Sequence, residues 1–155
     1  MEPLGPDERH ASRFNFDFAA YRAGRPTAMI EAKRRLRTNG SWAAQFRGNL
    51  LAHGQPPPAD LLAIIVPDRL YIWRSSEPPH APPTYEIDTR PLLAPYFERI
   101  GVRPEQIQPM AFEVLVSWWL NDLARGDVAP VTQELSKSGL LDAVSGAQIL
   151  HEYPA

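Results

Sequence analysis

Three charged residues near the start of the chain have the types and spacing that metal-assisted cleavage of a phosphodiester requires. Asp17 follows two phenylalanines, and Glu31 and Lys33 come in the short segment Glu-Ala-Lys. Carboxylate oxygens are the ligands that Mg²⁺ prefers, and Mg²⁺ usually keeps several waters and phosphate oxygens as its other ligands. A nearby lysine can orient the attacking water or stabilise charge that develops in the transition state. We therefore take Asp17 and Glu31 as candidate metal ligands and Lys33 as a candidate catalytic residue.

Two predicted β-strands would bring these side chains together. Successive side chains of a strand point to opposite faces, so residues two positions apart share a face. This rule predicts that the phenylalanines at 14, 16 and 18 lie on the face opposite Asp17, and that Glu31 and Lys33 share a face of a strand over 27–33. Residues 23–26 carry the glycine and proline typical of a hairpin turn. The strands should therefore be adjacent and antiparallel, with Asp17 beside Glu31.

A helix and two further strands are predicted next. Residues 41–54 indicate a helix that begins with Ser41 as N-cap and ends at Gly54. Residues 60–66 form a near-continuous apolar run, typical of a central strand that is buried on both faces. Residues 69–74 predict its partner strand, on which Tyr71 and Trp73 share a face. We expect these two aromatic residues to pack in the interior, and stacking on unpaired bases is the alternative.

The second half of the chain reads as a mainly helical extension. Residues 76–84 are proline-rich and predict a loop, and residues 85–88 predict a short edge strand. Helical spacing covers 90–100 and 109–125, and the apolar residues from 140 to 149 indicate a last short helix and a strand. We expect a single α/β domain, with a core over 1–75 and an extension over 85–155 packed on it.

An aspartate on one strand and a Glu-x-Lys on the next resemble the PD-(D/E)xK, or restriction-endonuclease-like, nuclease superfamily, over roughly the first half of the chain. The resemblance implies a mixed central sheet flanked by helices. It implies that Asp17 and Glu31 hold Mg²⁺, with Mn²⁺ able to substitute, and that Lys33 assists catalysis. Some branches place a glutamine on the following helix, and Gln45 corresponds to it. The implied function is a nuclease, with DNA the favoured substrate, in restriction, repair or defence against foreign DNA.

The chain departs from this family at two places. Members usually begin with a helix that often carries a glutamate, followed by a strand, before the aspartate is reached. Here sixteen residues precede Asp17, including two prolines and a glycine, and Glu8 is a weak stand-in for that glutamate. The RecB-like branch also tends to have tyrosine four residues after the glutamine, where this chain has Asn49.

Basic residues are concentrated around the candidate site. The whole chain has a formal net charge of -2, from 16 Lys and Arg against 18 Asp and Glu. Between Ala19 and Pro58, however, seven basic residues surround a single acid, Glu31, for a local net charge of +6. A polyanionic substrate favours such a region because phosphate contacts dominate nucleic-acid affinity. The arginines predicted to contact nucleic acid are Arg34, Arg35, Arg37 and Arg47. The alternative for residues 34–37 is an ordinary solvated loop.

Several other kinds of chemistry are disfavoured. The chain has no cysteine, which excludes a disulfide scaffold and is compatible with a cytoplasmic location. We see no signal peptide and no membrane span in the sequence. The four histidines lack the spacing of zinc ligands and are expected at the surface, and no nucleophile elbow or phosphate-binding glycine loop is present.

Two classes of function stay open. The first is the nuclease. The second is a catalytically inactive nucleic-acid-binding or interaction subunit of a larger assembly, in which a homodimer or another partner completes the sheet. A charged pair on a strand is often only its solvated face. Retention of all three charged residues favours the enzyme, because binding alone does not require Glu31 and Lys33 on one face.

Overall fold

Six strands form one mixed sheet, and helices cover both of its faces. The structure, a computed structural model, describes residues 16–54, 58–127 and 129–152. The strands are β1 (Phe18–Arg22), β2 (Arg25–Ala32), β3 (Leu61–Val66), β4 (Arg69–Arg74), β5 (Tyr85–Asp88) and β6 (Gln148–His151). The helices are α1 (Gly40–Ala52), α2 (Arg90–Ile100), α3 (Pro109–Arg125), α4 (Gln133–Ser138) and α5 (Leu140–Val144), with a 3₁₀ turn at Pro104–Gln106. No helix in these ranges is long and apolar enough to cross a membrane.

The strand order across the sheet is β5-β4-β3-β2-β1-β6. β2 and β3 run parallel, and every other neighbouring pair is antiparallel. A parallel pair requires a crossover connection, and α1 supplies it. β3 is buried along its whole length, as its apolar run predicts. The α/β class and the mixed sheet flanked by helices are therefore observed.

The β1–β2 hairpin is closed by a tight turn. Arg22 pairs with Arg25, and the two residues between them, Ala23 and Gly24, have φ angles of 53° and 75°. Positive φ at both central positions is typical of the type I′ turn, whose twist matches that of the strands it joins. The predicted hairpin is thus present. Its two turn residues are Ala23 and Gly24, and Pro26 already belongs to β2.

The start of β1 differs from the prediction. The strand begins at Phe18, after Asp17, and alternation fails at this point: Phe16 packs on the α1 side of the sheet and Phe18 on the opposite side. The reason is local. The Asp17 side chain accepts a hydrogen bond from the Ala32 backbone N–H, so a carboxylate takes the place of a backbone carbonyl next to β2. Residues 14 and 15 lie outside the described part of the chain.

Helix α1 also begins differently from the prediction. Its N-cap is Asn39 and not Ser41, because the Asn39 side chain accepts a hydrogen bond of 2.8 Å from the Trp42 backbone N–H. This is the usual capping geometry, in which a side-chain oxygen accepts from an N–H of the first helical turn. The helix ends at Ala52, two residues before the predicted Gly54.

Apolar residues fill the space on both faces of the sheet. On one face, alternate residues of β2 (Ala28, Ile30 and Ala32) pack against helices α2 to α5, as the predicted alternation requires. On the other face, α1 packs over a second cluster that contains Tyr71 and Trp73, both fully buried. The prediction that these two aromatic residues pack in the interior is confirmed.

The second half of the chain completes the sheet at both edges. The predicted helices over 90–100 and 109–125 are confirmed, as are the edge strand β5 and the last short helix and strand. β6 pairs antiparallel with β1, with Phe18 opposite His151. The extension thus contributes strands as well as helices, and β6 covers the outer edge of β1. Glu8 lies outside the described residues.

Candidate functional site

Asp17 and Glu31 meet where β2 and β3 end and β1 begins. The Asp17 backbone N–H donates a hydrogen bond of 3.1 Å to Glu31 Oε1, and the Ala32 N–H donates one of 2.8 Å to Asp17 Oδ2. From the far side, the Glu152 N–H donates to the Asp17 backbone oxygen at 2.8 Å. The hairpin therefore brings the two acidic residues side by side, as the turn between the strands predicts.

Burial makes this pair of acids unusual. Glu31 is 9% exposed. Burial, then repulsion by Glu31, raises the pKa of Asp17 to about 9, although the Ala32 N–H opposes the shift. Burial also raises the pKa of Glu31 to about 7, against the opposing effects of the Asp17 N–H and the Lys33 charge. Two neighbouring desolvated carboxyls do not readily ionise together, and a nearby cation would lower the pKa of both.

A third acid, Glu113 on α3, lies next to the pair. Its negative charge and a side-chain hydrogen bond to Asp17 both raise the pKa of Asp17. Glu113 Oε1 also lies 3.2 Å from His151 Nε2, and the His151 ring stacks on Phe18 with 4.3 Å between ring centroids. The His151 side chain is 10% exposed, so the prediction that the histidines lie at the surface is wrong for this one.

Sequence reasoning missed Glu113 and His151. Glu113 lies between apolar positions of a helix whose pattern predicts packing, and His151 lies at the end of the last strand. Neither residue belongs to a motif that points to Asp17. Their contact with it depends on how the C-terminal elements pack against β1, which local patterns do not encode.

Lys33 lies immediately after β2, at the α1 side of the site. Its backbone N–H donates to the Ile65 carbonyl at 2.9 Å, which continues the pairing of β2 with β3 by one residue. Its side chain is exposed, and Nζ lies 5.4 Å from the centroid of the Phe46 ring. No ion pair joins Lys33 to Asp17 or Glu31 within the described ranges. Its charge nevertheless lowers the pKa of Glu31.

Gln45 and two of the predicted arginines lie on the surface. Gln45 is exposed on α1, and no hydrogen bond joins it to the carboxylates in the part of the chain that the structure describes. Arg35 and Arg37 are exposed in the loop that follows β2. The Arg35 guanidinium lies 5.6 Å from the centroid of the Trp42 ring. These arginines are therefore available to a polyanion, whereas Gln45 stays a prediction from the resemblance.

Arg34 connects the candidate site to the segment that precedes α3. Its guanidinium donates hydrogen bonds to the backbone oxygens of Ile107, at 2.8 Å, and of Glu105. The contact links the end of β2 to the start of the helix that carries Glu113. The Arg34 guanidinium is thus already hydrogen-bonded to backbone carbonyls. We therefore expect it to position α3 more than to contact phosphate.

Arg47 is not available to nucleic acid, and its prediction is corrected. It is 1% exposed, and its guanidinium donates to the backbone oxygens of Glu77 and Pro78. The guanidinium lies 5.4 Å from the centroid of the buried Trp73 ring, and burial lowers its pKa. A long arginine on the inner face of α1 reaches the proline-rich loop and anchors it to the sheet. Burial of a charge requires such hydrogen bonds.

The Asp17–Glu31 pair suits a hard divalent cation. Within the described residues, no three His, Asp or Glu side chains form a ready-made set of ligands. Mg²⁺, however, is commonly held by one or two carboxylates, with water and substrate phosphate completing its coordination. Backbone N–H groups engage Asp17 Oδ2 and Glu31 Oε1. The Asp17 side chain also shares hydrogen bonds with Glu31 and Glu113, and a bound cation would take the place of these contacts between acids.

Comparison with known protein families, with curated proteins and with solved structures gave no match for this chain. Function is therefore inferred from the residues and from the geometry described above. A half-buried and a buried carboxylate, a lysine and exposed arginines lie at one end of the sheet.

Proposed function

We propose that this protein is a metal-dependent nuclease that hydrolyses phosphodiester bonds. The observation that carries the proposal is the contact between half-buried Asp17 and buried Glu31, with the Lys33 charge near enough to lower the pKa of Glu31. Acidic side chains are almost never buried unless they are paired with a cation or bind a metal. Here two acids lie together next to a third, Glu113, and burial raises the pKa of both Asp17 and Glu31, a shift that a bound cation would oppose.

Each residue has a chemical role in the proposal. Asp17 and Glu31 would hold Mg²⁺, or Mn²⁺ in its place. Such an ion, when bound, polarises a phosphoryl oxygen and lowers the pKa of a coordinated water. The exposed Lys33 ammonium would contact the scissile phosphate and stabilise the charge that develops on it. Arg35 and Arg37 would attract the polyanionic backbone.

The order of elements supports a restriction-endonuclease-like core. The β1–β2 hairpin, the α1 crossover and the parallel strand β3 follow one another as the resemblance implies, with the acids at the ends of β1 and β2. β6 pairs along the outer edge of β1, and Glu113 of α3 lies beside Asp17.

The proposal is tested by cleavage assays on supercoiled plasmid, linear duplex DNA, single-stranded DNA and RNA, with Mg²⁺, Mn²⁺ or EDTA. The wild type should cut in the presence of metal, and Glu31→Gln and Lys33→Ala should lower the rate by about 100-fold or more. The matched control is Lys137→Ala, since Lys137 is the other lysine of the chain and is exposed on α4. The proposal fails if a folded wild type cuts none of the four substrates, or if Lys137→Ala is impaired as much as Lys33→Ala.

A nucleic-acid-binding subunit without activity is the second candidate. The observation in its favour is that Lys33 Nζ lies over the Phe46 ring and forms no described ion pair with the carboxylates. This candidate predicts binding of nucleic acid in EDTA that is as tight as binding in Mg²⁺, with no cleavage in either condition. The roles in restriction, repair or defence, and the preference for DNA, come from the resemblance.

A further inference from the structure

Two aromatic rings lie side by side on α1, next to the candidate site. Trp42 and Phe46 are one helical turn apart, their ring centroids are 5.3 Å from each other, and both side chains are half-buried. Each ring has a cation near it: Arg35 lies 5.6 Å from the Trp42 centroid and Lys33 lies 5.4 Å from the Phe46 centroid. We call these four side chains the Trp42–Phe46 surface.

We infer that the Trp42–Phe46 surface binds single-stranded nucleic acid by stacking unpaired bases on the two rings, beside the Asp17–Glu31 pair. The inference rests on the proposed function for its substrate class, a polynucleotide, and adds that the bound segment is unpaired. Exposed aromatic rings that alternate with basic side chains are the common means of holding single strands, because every base has a flat face and every linkage has a phosphate.

Charge complementarity supports this occupant over a protein partner. Between residues 19 and 58 the one acidic residue is Glu31, which is buried, and Arg35 and Lys33 lie at the two rings. One acid from another strand, Glu86 of β5, lies near Gly40 at the start of α1. The adjacent exposed stripe of α1 carries Ser41 and the amides Gln45 and Asn49, which can both donate and accept hydrogen bonds at base edges. Positive charge, aromatic rings and neutral amides together suit a phosphate-linked chain of bases.

Both rings pack partly against the interior cluster, with the Trp42 centroid 6.3 Å from that of Tyr71, so bases would stack on the part of each ring that stays exposed. An exposed cation–π contact is weaker than the stacking of a base on an aromatic ring. Arg35 and Lys33 have long flexible side chains, so each can leave its ring for the phosphate that follows a stacked base. The other aromatic pair near the site, Tyr71 and Trp73, is fully buried and offers no face to a base.

Proximity to the candidate site gives the surface a role in catalysis. Lys33 belongs both to the surface and to the candidate catalytic set, so a base on Phe46 would place its neighbouring phosphate near Lys33 and the Asp17–Glu31 pair. A duplex keeps its bases stacked on each other and cannot use the rings in this way. The proposed nuclease should therefore prefer single strands, or duplexes with unpaired ends or flaps.

The test measures binding to the full chain in EDTA by fluorescence anisotropy. The two probes are a fluorescein-labelled oligo(dT) of about 20 nucleotides and a labelled duplex of equal length. The wild type should bind the single strand more tightly than the duplex. Trp42→Leu, which keeps an apolar contact but removes the ring, should weaken single-strand binding about 10-fold and leave duplex binding within about twofold. Trp42→Phe should retain most of the affinity.

The matched control is Trp118→Leu. Trp118 is also half-buried and also has an arginine near its ring, Arg99 at 5.5 Å, but it lies on α3 in the other cluster. Equal losses in Trp118→Leu and Trp42→Leu would overturn the inference, as would equal affinity of the wild type for single strand and duplex. If Trp42→Leu is poorly folded, Arg35→Ala replaces it in the test. Arg35→Ala should weaken single-strand binding and reduce the slope of log affinity against log salt concentration by about one.

The two proposals fail separately. Binding that depends on Trp42 without any metal-dependent cleavage would support the surface and contradict the nuclease. Cleavage of single strands with binding that is indifferent to Trp42→Leu and Arg35→Ala would support the nuclease and overturn the inference.

Discussion

At the scale of single residues, ionising the Asp17–Glu31 pair costs the protein stability. Each carboxyl has a raised pKa because burial removes the water that would stabilise its charge. Functional sites often carry such perturbed groups. Neutral amides of the same shape would keep the hydrogen bonds to the backbone and remove the cost of ionisation.

We expect Asp17→Asn to stabilise the protein at alkaline pH in EDTA. A carboxyl whose pKa is higher in the folded chain than its ordinary 3.8 holds its proton more tightly when folded, so its stabilising effect is complete at low pH and is lost as pH rises toward 9. At about pH 8 the variant should gain about 1–3 kcal/mol in free energy of unfolding over the wild type. Urea unfolding from about pH 5 to about pH 9 checks this.

The gain should shrink toward about pH 5, because the difference in bound protons between the folded and unfolded wild type then acts over a shorter pH range above the ordinary pKa of 3.8. Glu134→Gln, an exposed acid on α4, is the control and should show no such trend. Mg²⁺ should narrow the difference at alkaline pH, because a cation that binds only the folded wild type stabilises it. A wild type that grows more stable between about pH 6 and about pH 9 would contradict the raised pKa values.

At the scale of elements, two arginines attach loops to the sheet and to α1 by hydrogen bonds to the loop backbone. Arg34 joins the end of β2 to the segment before α3, and Arg47 joins α1 to the proline-rich loop. Both act through backbone carbonyls, which the planar guanidinium can bind in pairs. They decide where Glu113 and the loop lie relative to the sheet.

We expect Arg47→Ala to destabilise the fold by about 2–4 kcal/mol, because it removes the donor to two carbonyls of the proline-rich loop and opens space beside Trp73. Chemical denaturation measures the loss, and Asn49→Ala, at an exposed position of the same helix, should stay within about 0.5 kcal/mol of the wild type. Nucleic-acid affinity per folded molecule should not change in Arg47→Ala. A stable variant with weaker binding would restore Arg47 to the binding residues.

At the scale of the whole molecule, the C-terminal strand makes the sheet and the site complete. β6 pairs along the outer edge of β1, and its last residue, His151, contacts Glu113 beside Asp17. An unpaired edge strand tends to associate with other chains. The chain therefore covers β1 with its own residues, and the same strand supports the acids.

We expect a chain that ends at Gly146 to lose stability by about 3 kcal/mol or more, since it lacks the buried contacts of Ile149 and Leu150 and leaves β1 open. It should also associate through the exposed edge. Circular dichroism and light scattering measure both effects, and a chain that ends at Glu152, which keeps β6, should behave as the full chain does. A folded, non-associating product without β6 would show that β1 does not need this partner.

Periodic local features could be predicted from the sequence alone. Alternation in β2 depends on strand geometry, so the apolar face of Ala28, Ile30 and Ala32 follows from residue order. The helix over 109–125 is confirmed for the same reason, because apolar residues at steps of three and four can pack only on one face of a helix. The apposition of Asp17 and Glu31 followed because a tight hairpin fixes which residues lie opposite.

Contacts between distant parts of the chain were decided by the tertiary structure. Arg47 looks like a surface cation in sequence, and burial against Trp73 makes it structural. Asp17 lies just before its strand because its side chain bonds to Ala32. Glu113 and His151 reach the site only because β6 and α3 pack against β1. The sequence by itself thus determined most of the elements and the two central acids, since these depend on neighbours along the chain, although the short helix α4 was not predicted. The surroundings of those acids depend on packing between elements far apart, which local patterns do not specify.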